Sequence, residues 1–333
     1  MVTELIKTKK LKWGVAGLGR FAENNFLPAI QYLRKSKVNS VYSHNIARAK
    51  SIASKFGVPE YFDDFESFLK SDIDAVYICS KNSDHYEQVI KAAQAKKHIF
   101  CEKPLAIDSK QAEEMVNAAN DNKVLFAVNF IHNYHPLTIK AKELINTLKL
   151  GKIVSVQANF NIDFPPDNNY RFNKQKSGGG ALRDLGSHML NLLRYFGGEI
   201  SEIDGFIDNI VYQSEVEDFA SGIVKFSKGG YGYFNVSYNA KKTFNRLEII
   251  CHRGSIEIDN LIGRKIIGTK LSIIIDGEAK KSFRKGGNRM LFALRSVQES
   301  FLQNKQPLAT GYDGLINMKL MEDLERKCQS KMK

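Results

Sequence analysis

Short apolar runs alternate with amphipathic stretches through the first 130 residues of the chain. Most runs are nearly continuous, as in strands buried on both faces, and they lie at 12–16, 38–43, 61–62, 75–79, 98–101 and 125–130. Between them the apolar positions follow the helical period, over 46–56, 85–96 and 109–122. This alternation with short links predicts an α/β fold with a parallel, doubly wound sheet of the Rossmann type.

Beyond residue 131 apolar and polar positions alternate with a period of two. Such stretches are typical of strands, and they lie at 153–161, 200–212, 218–226, 231–238, 246–251, 255–258 and 271–275. Helical spacing recurs at 137–148, 290–301 and 315–324. We predict a Rossmann domain over 1–130 and an α+β domain over 131–333, whose sheet is antiparallel or mixed. Its two-faced pattern at Tyr231, Tyr233, Val236 and Tyr238 fits either an interface or a core.

Composition excludes few classes of protein, but it indicates which of the remaining classes are favoured. The chain has 333 residues, 43% of them hydrophobic and 26% charged, which is ordinary for a globular protein. Its net charge of +13 raises the question of nucleic acid, but the lysines are scattered and no nucleic-acid module is recognisable. No apolar run reaches the ~18–20 residues of a membrane span, and the N-terminus has no apolar leader segment. We therefore predict a cytoplasmic protein that binds neither nucleic acid nor membrane.

The four cysteines lack the spacing of a metal or redox site, so we predict reduced thiols and no metal. The first chemical motif is Gly17-Leu18-Gly19-Arg20-Phe21-Ala22, a G-x-G-x-x-A turn between a strand and a helix. Gly17 permits a tight turn, Gly19 lets the backbone approach a pyrophosphate, and Ala22 keeps the helix close to the sheet. With Arg20 beside them, these residues are predicted to bind a dinucleotide.

The end of the second strand bears on which dinucleotide is bound. NAD-binding folds place a carboxylate about 20 residues after the glycines, yet no Asp or Glu lies between Glu23 and Glu60. Ser43, His44 and Arg48 stand there instead and suit a 2′-phosphate, which favours NADP. Alternatively His44 and Arg48 are merely exposed, and Ser43 or Asn45 serves NAD.

A second glycine-rich stretch, 178–180, precedes another amphipathic pattern. Asp184, His188 and Asn191 fall at i, i+4 and i+7, so they share one face of a helix. On this stretch alone a solvated surface is the favoured interpretation of the face, ahead of an active site. No third residue of suitable spacing joins Asp184 and His188 to suggest a metal.

Five motifs in order resemble the Gfo/Idh/MocA oxidoreductases, named for glucose–fructose oxidoreductase and inositol dehydrogenase. They are the glycine turn, Asn82-Ser83-Asp84-His85, Glu102-Lys103-Pro104, Tyr134-His135-Pro136 and the block 178–188; Gln306-Pro307-Leu308 also fits the family's ending. The resemblance implies hydride transfer between NAD(P) and a carbinol or ketone carbon of a sugar or polyol. It also implies an open-faced C-terminal sheet that joins subunits into a homodimer or homotetramer.

Residue by residue, the resemblance makes Lys103 the active-site lysine and matches Asp184 and His188 to the family's carboxylate and histidine. Ser80, Asn82 and Glu102 match positions near the nicotinamide and its ribose; His85 joins them as a cofactor-site candidate, with helix packing as the alternative. Tyr134, Tyr170, Arg171 and Asn191 are substrate candidates. Tyr-Arg resembles the pair in the branch with anhydrofructose reductase, xylose dehydrogenase and dihydrodiol dehydrogenase.

Oxidation of a secondary alcohol needs a base, and His188 has a suitable ordinary pKa, with Lys103 as the competitor. His132 and His135 could either contact the substrate or pack in the core.

The chain departs from the family at two positions. Asn191 stands where the family often has Asp, and Asn133 stands where many members have Arg. Two other functions remain alternatives: an NAD-dependent redox glycosidase, and a catalytically silent sugar or nucleotide sensor.

Overall fold

The computed structural model describes residues 10–147, 149–262 and 268–331. The chain forms two compact units, each assembled from three stretches. The first contains the chain up to Glu102 with Glu114–Asn129 and Met290–Thr310; the second contains Lys103–Glu113, Phe130–Arg289 and the chain from Gly311 onward. The division of the chain into domains at residue 130 stays a prediction.

The first unit is built on a parallel sheet, as the alternation of strands and helices predicts. Its strands are β1 (Leu11–Ala16), β2 (Ser36–Tyr42), β3 (Glu60–Phe62), β4 (Ala75–Ile78), β5 (His98–Cys101) and β6 (Phe126–Val128). They lie in the order β3-β2-β1-β4-β5-β6, and every neighbouring pair is parallel. Because both faces are covered, β1 and β4 are buried along almost their whole length.

Ten α-helices occur in the described residues. They are α1 (Leu27–Ile30), α2 (Ile46–Phe56), α3 (Phe65–Lys70), α4 (Asn82–Gln94), α5 (Ser109–Asp121), α6 (Pro136–Asn146), α7 (Lys174–Ser177), α8 (Ser187–Gly197), α9 (Arg289–Leu302) and α10 (Gly311–Lys331). Local signals set their ends: Asn45 caps α2 by accepting from the Arg48 N–H, and Gly57 ends it at φ +65°. Leu148, the predicted end of α6, lies outside the described residues.

The second unit contains an eight-stranded mixed sheet. Its strands are β7 (Ile153–Asp163), β8 (Ile200–Asp208), β9 (Phe219–Phe226), β10 (Tyr231–Ser237), β11 (Asn239–Cys251), β12 (Gly254–Asp259), β13 (Thr269–Ile275) and β14 (Lys281–Lys285). They lie in the order β14-β13-β12-β11-β7-β10-β9-β8, and only β7 and β10 pair in parallel within it. β14 was not predicted, because all five of its residues are exposed and three are cationic.

One face of this sheet is covered and the other is open. Helix α8 packs on β7 and β10, and α10 packs on β8. On the opposite face Phe206, Ile223 and Tyr233 are exposed on neighbouring strands, and Tyr231 is exposed beside them. Val236 and Tyr238 are buried, which agrees with the core alternative for these two positions.

Within the described residues, no helix combines the length and the apolar character that crossing a membrane requires.

Candidate active site

The glycine-rich stretch 178–180 allows three segments to meet. Gly178 has φ +81°, and a Cβ there would lie 3.0 Å from the carbonyl oxygen of Ile107. A Cβ on Gly180 would lie only 2.1 Å from the carbonyl oxygen of Glu217. A side chain at position 180 would therefore collide with backbone, and glycine is required for close approach rather than for a phosphate loop.

Glu217 anchors the turn that follows the glycines. Its carbonyl accepts from the Ala181 N–H at 3.0 Å, and its carboxylate accepts from the Leu182 N–H at 2.9 Å. Leu182–Gly186 form a π-helical turn that leads into α8. Burial raises the pKa of Glu217 although these backbone donors favour its ionised form. Asp184 lies inside this turn, so the contacts of Glu217 with Ala181 and Leu182 fix the position of its backbone.

Asp184 is the centre of a charged cluster within the second unit. The Lys103 ammonium donates to its Oδ1 at 2.5 Å and to its backbone oxygen at 2.9 Å. The Tyr238 hydroxyl donates to Oδ2 at 2.9 Å, and Nε of Arg171 lies 3.5 Å from the same oxygen. The Lys103 and Asp184 side chains are 12% and 21% exposed. The structure therefore brings together Lys103, Asp184 and Arg171, three of the predicted site residues.

Electrostatics keep this carboxylate ionised. Burial raises the pKa of Asp184, but Lys103 and Arg171, with the hydrogen bonds from Lys103 and Tyr238, outweigh it and hold the pKa well below its usual range. Burial, and then the neighbouring Asp184 charge, raise the pKa of Tyr238 far above its ordinary value. At neutral pH the cluster contains a carboxylate and a neutral phenol, and Lys103 faces the carboxylate directly.

His188 is the second residue of α8 and lies against a second imidazole. The rings of His188 and His132 have centroids 4.6 Å apart in an edge-to-face arrangement. His188 is 9% exposed and His132 is 4% exposed, and no described residue hydrogen-bonds to Nδ1 of either ring. Burial, followed by the charge of Lys103, lowers the pKa of His188 well below its usual value, and burial with Arg289 does the same for His132. Both rings are therefore neutral at pH 7.

The remaining substrate candidates lie on different elements of the second unit and differ in burial. Tyr170 and Arg171 form one short turn, and the Arg171 guanidinium lies 5.1 Å from the centroid of the Tyr170 ring. Tyr134 and Asn191 are buried, at 2% and 4% exposure. Since His188 and Asn191 are both buried, the interpretation of their helix face as a solvated surface is wrong.

The first glycine motif forms a tight turn at the end of β1. Gly17 has φ +89°, and a Cβ there would lie 2.4 Å from the backbone nitrogen of Ser80. Nothing lies within 4 Å of a Cβ built on Gly19, so this position has open space beside the backbone. Ala22 is fully buried at the start of a π-helical turn, Ala22–Phe26, while Arg20 is exposed.

At the end of β2 the three candidates for a 2′-phosphate differ in their surroundings. His44 is exposed, and its ring contacts the Tyr42 hydroxyl at 2.9 Å, while Ser43 is half-buried. The Arg48 guanidinium is already engaged, since Nε donates to the Leu18 carbonyl at 3.0 Å and Nη2 donates to Glu23 at 2.6 Å.

The candidates after β4 and β5 are held by hydrogen bonds within the first unit. Ser80 donates to Gln88 at 2.7 Å. Glu102 accepts from the Tyr77 hydroxyl and, at 2.5 Å, from the Asn129 amide. Asn82 and His85 lie in the first turns of α4, and both are buried, His85 completely. Complete burial agrees with a packing role for His85.

A family described as "Oxidoreductase family, NAD-binding Rossmann fold" matches residues 11–130, and the GFO/IDH/MocA C-terminal domain matches residues 138–257. The chain belongs to the Gfo/Idh/MocA family. It is therefore an NAD(P)-dependent oxidoreductase, as the five motifs predict. The predicted α/β fold with a mixed C-terminal sheet is confirmed as well.

Family members with known names match almost the whole chain. The 1,5-anhydro-D-fructose reductase of Ensifer adhaerens is 27% identical over 312 residues, which cover 92% of this chain and 93% of that protein. The aldose-aldose oxidoreductase from Caulobacter crescentus, solved with glycerol, superposes with a TM-score of 0.89 at 24% identity, over 97% of this chain and 98% of that one. Levoglucosan dehydrogenase, solved with NADH and levoglucosan, has a TM-score of 0.89 at 21% identity and the same coverage. The two structures establish the likeness of fold.

The family's cofactor suits the glycine turn of the first unit. The open space at Gly19 and the positive φ of Gly17 are what a turn needs when its backbone is to approach a pyrophosphate. Gly17, Gly19, Arg20 and Ala22 would hold the pyrophosphate, while Ser43, His44 and Arg48 would face the adenosine ribose. Ser80, Asn82, His85, Glu102 and Lys103 are the candidates for the nicotinamide side. Among the described residues, no group of three or more His, Cys, Asp or Glu side chains could hold a metal ion.

Sequence reasoning missed two residues that hold Asp184 or its turn, and it left the role of His132 undecided. Tyr238 donates to Asp184 from 54 residues away, and Glu217 anchors Leu182 from 35 residues away. Neither separation carries a periodic signal. The sequence did not decide whether His132 contacts the substrate or packs in the core. Its ring contacts that of His188, so it lies beside the predicted proton-transfer residue.

Proposed function

We propose that the protein interconverts a carbinol and a ketone on a sugar, a polyol or a related compound, with NADP as the preferred cofactor. The observation that carries the proposal is that one unit contains both the Lys103–Asp184 ion pair and a neutral, buried histidine, His188. The names of the relatives, which act on anhydrofructose, aldoses and levoglucosan, support a carbohydrate-like substrate.

The two candidate groups have different roles in this proposal. His188 accepts the hydroxyl proton during oxidation and returns it during reduction, because its lowered pKa leaves the imidazole neutral, with a nitrogen lone pair, at neutral pH. Lys103 donates to Asp184 and polarises the reacting oxygen. Asp184 holds the ammonium by two of its own oxygens. Bound NAD(P) supplies or accepts the hydride.

The preference for NADP is proposed from the end of β2. A serine, an imidazole and a guanidinium stand where a carboxylate would bind the ribose hydroxyls of NAD. Arg48 reaches back to the glycine turn through Leu18, which places its guanidinium beside the predicted phosphate site.

The open face of the C-terminal sheet is proposed to join copies of the chain into a homodimer or homotetramer. Phe206, Ile223, Tyr231 and Tyr233 form an apolar surface on three adjacent strands. A monomeric mass in light scattering at micromolar concentration would exclude this assembly. A cytoplasmic location is proposed because that compartment supplies NAD(P), and because the spacing of the four cysteines predicts reduced thiols. Recovery of the native protein in the cytosolic fraction tests it.

A screen of substrates tests the function directly. NADPH and NADH oxidation, and NADP⁺ and NAD⁺ reduction, are followed across aldoses, ketosugars, anhydrosugars and cyclic polyols. We expect at least one compound to turn over, with a higher kcat/KM for the NADP(H) couple. Release of an aglycone from a glycoside without net change in cofactor would indicate the redox glycosidase instead. Tight cofactor binding with no turnover of any compound would indicate the sensor.

A further inference from the structure

Glu23 holds two cations next to the predicted site for the adenosine ribose. Its carboxylate accepts from Nη2 of Arg48 at 2.6 Å and from Nζ of Lys55 at 2.6 Å. The Glu23 side chain is only 19% exposed, whereas Arg48 and Lys55 are 37% and 57% exposed. Glu23 lies in the π-helical turn directly after the glycine motif, and Arg48 and Lys55 both lie on α2.

The position of Arg48 depends on this carboxylate. Nε of Arg48 donates to the carbonyl of Leu18, which is part of the glycine turn, and Nη2 points at Glu23. The two hydrogen bonds orient the guanidinium between the turn and the carboxylate. The hydrogen bonds of Lys55 and Arg48 lower the pKa of Glu23 to about 2, so the carboxylate is charged at every pH at which the protein would act.

A charged carboxylate here affects NADP and NAD differently. The 2′-phosphate of NADP carries close to two negative charges at neutral pH and is recognised by guanidinium donors. To bind it, Arg48 must share or leave its ion pair, and Glu23 repels the phosphate. The 2′-hydroxyl of NAD is neutral, so neither effect applies to it.

We propose that Glu23 sets the degree of discrimination between NADP and NAD, because its ion pairs with Arg48 and Lys55 compete with the 2′-phosphate of NADP. The proposal rests on the proposed use of Arg48 for that phosphate. It makes Glu23 a specificity-determining residue that reduces the preference for NADP that Ser43, His44 and Arg48 create.

The test is a binding titration that requires no turnover. NADPH and NADH are titrated separately into the full-length protein, with their nicotinamide fluorescence as the readout. In Glu23→Gln we expect the Kd for NADPH to fall about tenfold and the Kd for NADH to stay within about twofold of the unmodified protein. A ratio of the two Kd values that changes by less than about twofold would overturn the proposal.

Two further variants separate charge from shape and identify the residue through which Glu23 acts. Glu23→Asp keeps the charge, so its Kd ratio should stay within about threefold of the unmodified protein; an equal shift in Asp and Gln would refute an electrostatic role. In an Arg48→Ala background, the effect of Glu23→Gln on NADPH should shrink to less than about threefold. An undiminished tenfold effect there would show that Arg48 is not the competing group.

Glu66→Gln is the matched control. Glu66 is an exposed carboxylate of the first unit that pairs with Lys91 at 3.0 Å, so its removal changes the net charge equally. We expect neither Kd to change beyond about twofold. If Glu66→Gln raised the affinity for NADPH as much as Glu23→Gln does, the effect of Glu23→Gln would be explained by the change in net charge alone. The unmodified protein tests the underlying preference separately, because tighter binding of NADH than of NADPH would contradict that preference whatever Glu23 does.

Discussion

Replacement of His188 by alanine should lower kcat by roughly 10²- to 10⁴-fold, the usual contribution of a general acid–base group. The imidazole is 9% exposed and neutral, whereas the Lys103 amine already donates to Asp184, so of these two candidates His188 is the one able to accept a proton. Steady-state kinetics on the best substrate of the screen measure the effect. Cofactor Kd values, which should change little, show that the variant still binds.

The pH dependence gives an independent check on this role. Because burial and Lys103 lower the pKa of His188, the base form persists below the ordinary histidine pKa of about 6.5. For alcohol oxidation, kcat/KM should therefore stay level from pH 8 to pH 6 and decline only at lower pH. The same shift means that the unfolded chain binds a proton at His188 before the folded one does. The stability contributed by His188 is thus complete above about pH 6.5 and is lost as the pH falls towards the lowered value.

The control for His188 is His252→Ala. His252 is exposed in the turn between β11 and β12, and its removal should leave kcat unchanged. If His188→Ala kept kcat within about threefold of the unmodified protein, proton transfer would have to be reassigned, with Lys103 as the first candidate.

Replacement of Lys103 by methionine should impair both catalysis and stability. Methionine has similar length but no charge, so Asp184 keeps its burial and loses the cation that donates to it at 2.5 Å. Removal of one partner of a buried pair costs about 3 kcal/mol, and loss of the polarising charge lowers kcat by about 10²-fold or more. Urea denaturation measures the first effect and steady-state kinetics the second.

The design of this experiment separates the charge from the packing. Lys103→Met with Asp184→Asn should recover most of the stability and none of the activity, since the unpaired charge is gone. Tyr238→Phe removes only a neutral donor to Asp184, and it should cost about 1.5 kcal/mol and less activity than Lys103→Met. Lys110→Met, at an exposed position of α5, is the control and should change neither quantity.

The lowered pKa of Asp184 determines how the stability that this residue contributes changes with pH. Its stabilising effect is present above the unfolded carboxyl value of about 3.9 and disappears as the pH falls below it. The difference in stability between the unmodified protein and Lys103→Met should accordingly narrow in acid. A gap that stays constant from pH 7 to pH 3 would show that Lys103 stabilises the protein by packing alone.

Local sequence patterns were sufficient to predict those helices and strands whose formation depends on neighbouring residues. The continuous apolar run of β1, the helical spacing of α2 and the alternation along β9 all predicted the elements observed. β14 escaped because its charged residues carry no apolar alternation, and its pairing with β13 depends on the neighbouring strand.

By itself, the sequence determined that the chain has a strand–helix repeat, a glycine turn and an ordered set of motifs, because periodicity, backbone freedom and short motifs are written in neighbouring residues. Only the tertiary structure decided the state of the candidate site. Lys103 and Asp184 are 81 residues apart, and Tyr238 is a further 54 residues along. Their charges, and the neutral form of His188, depend on burial and on partners that the fold brings from distant positions. For the same reason the sequence did not reveal that Arg48, a predicted ligand of the 2′-phosphate, pairs with Glu23.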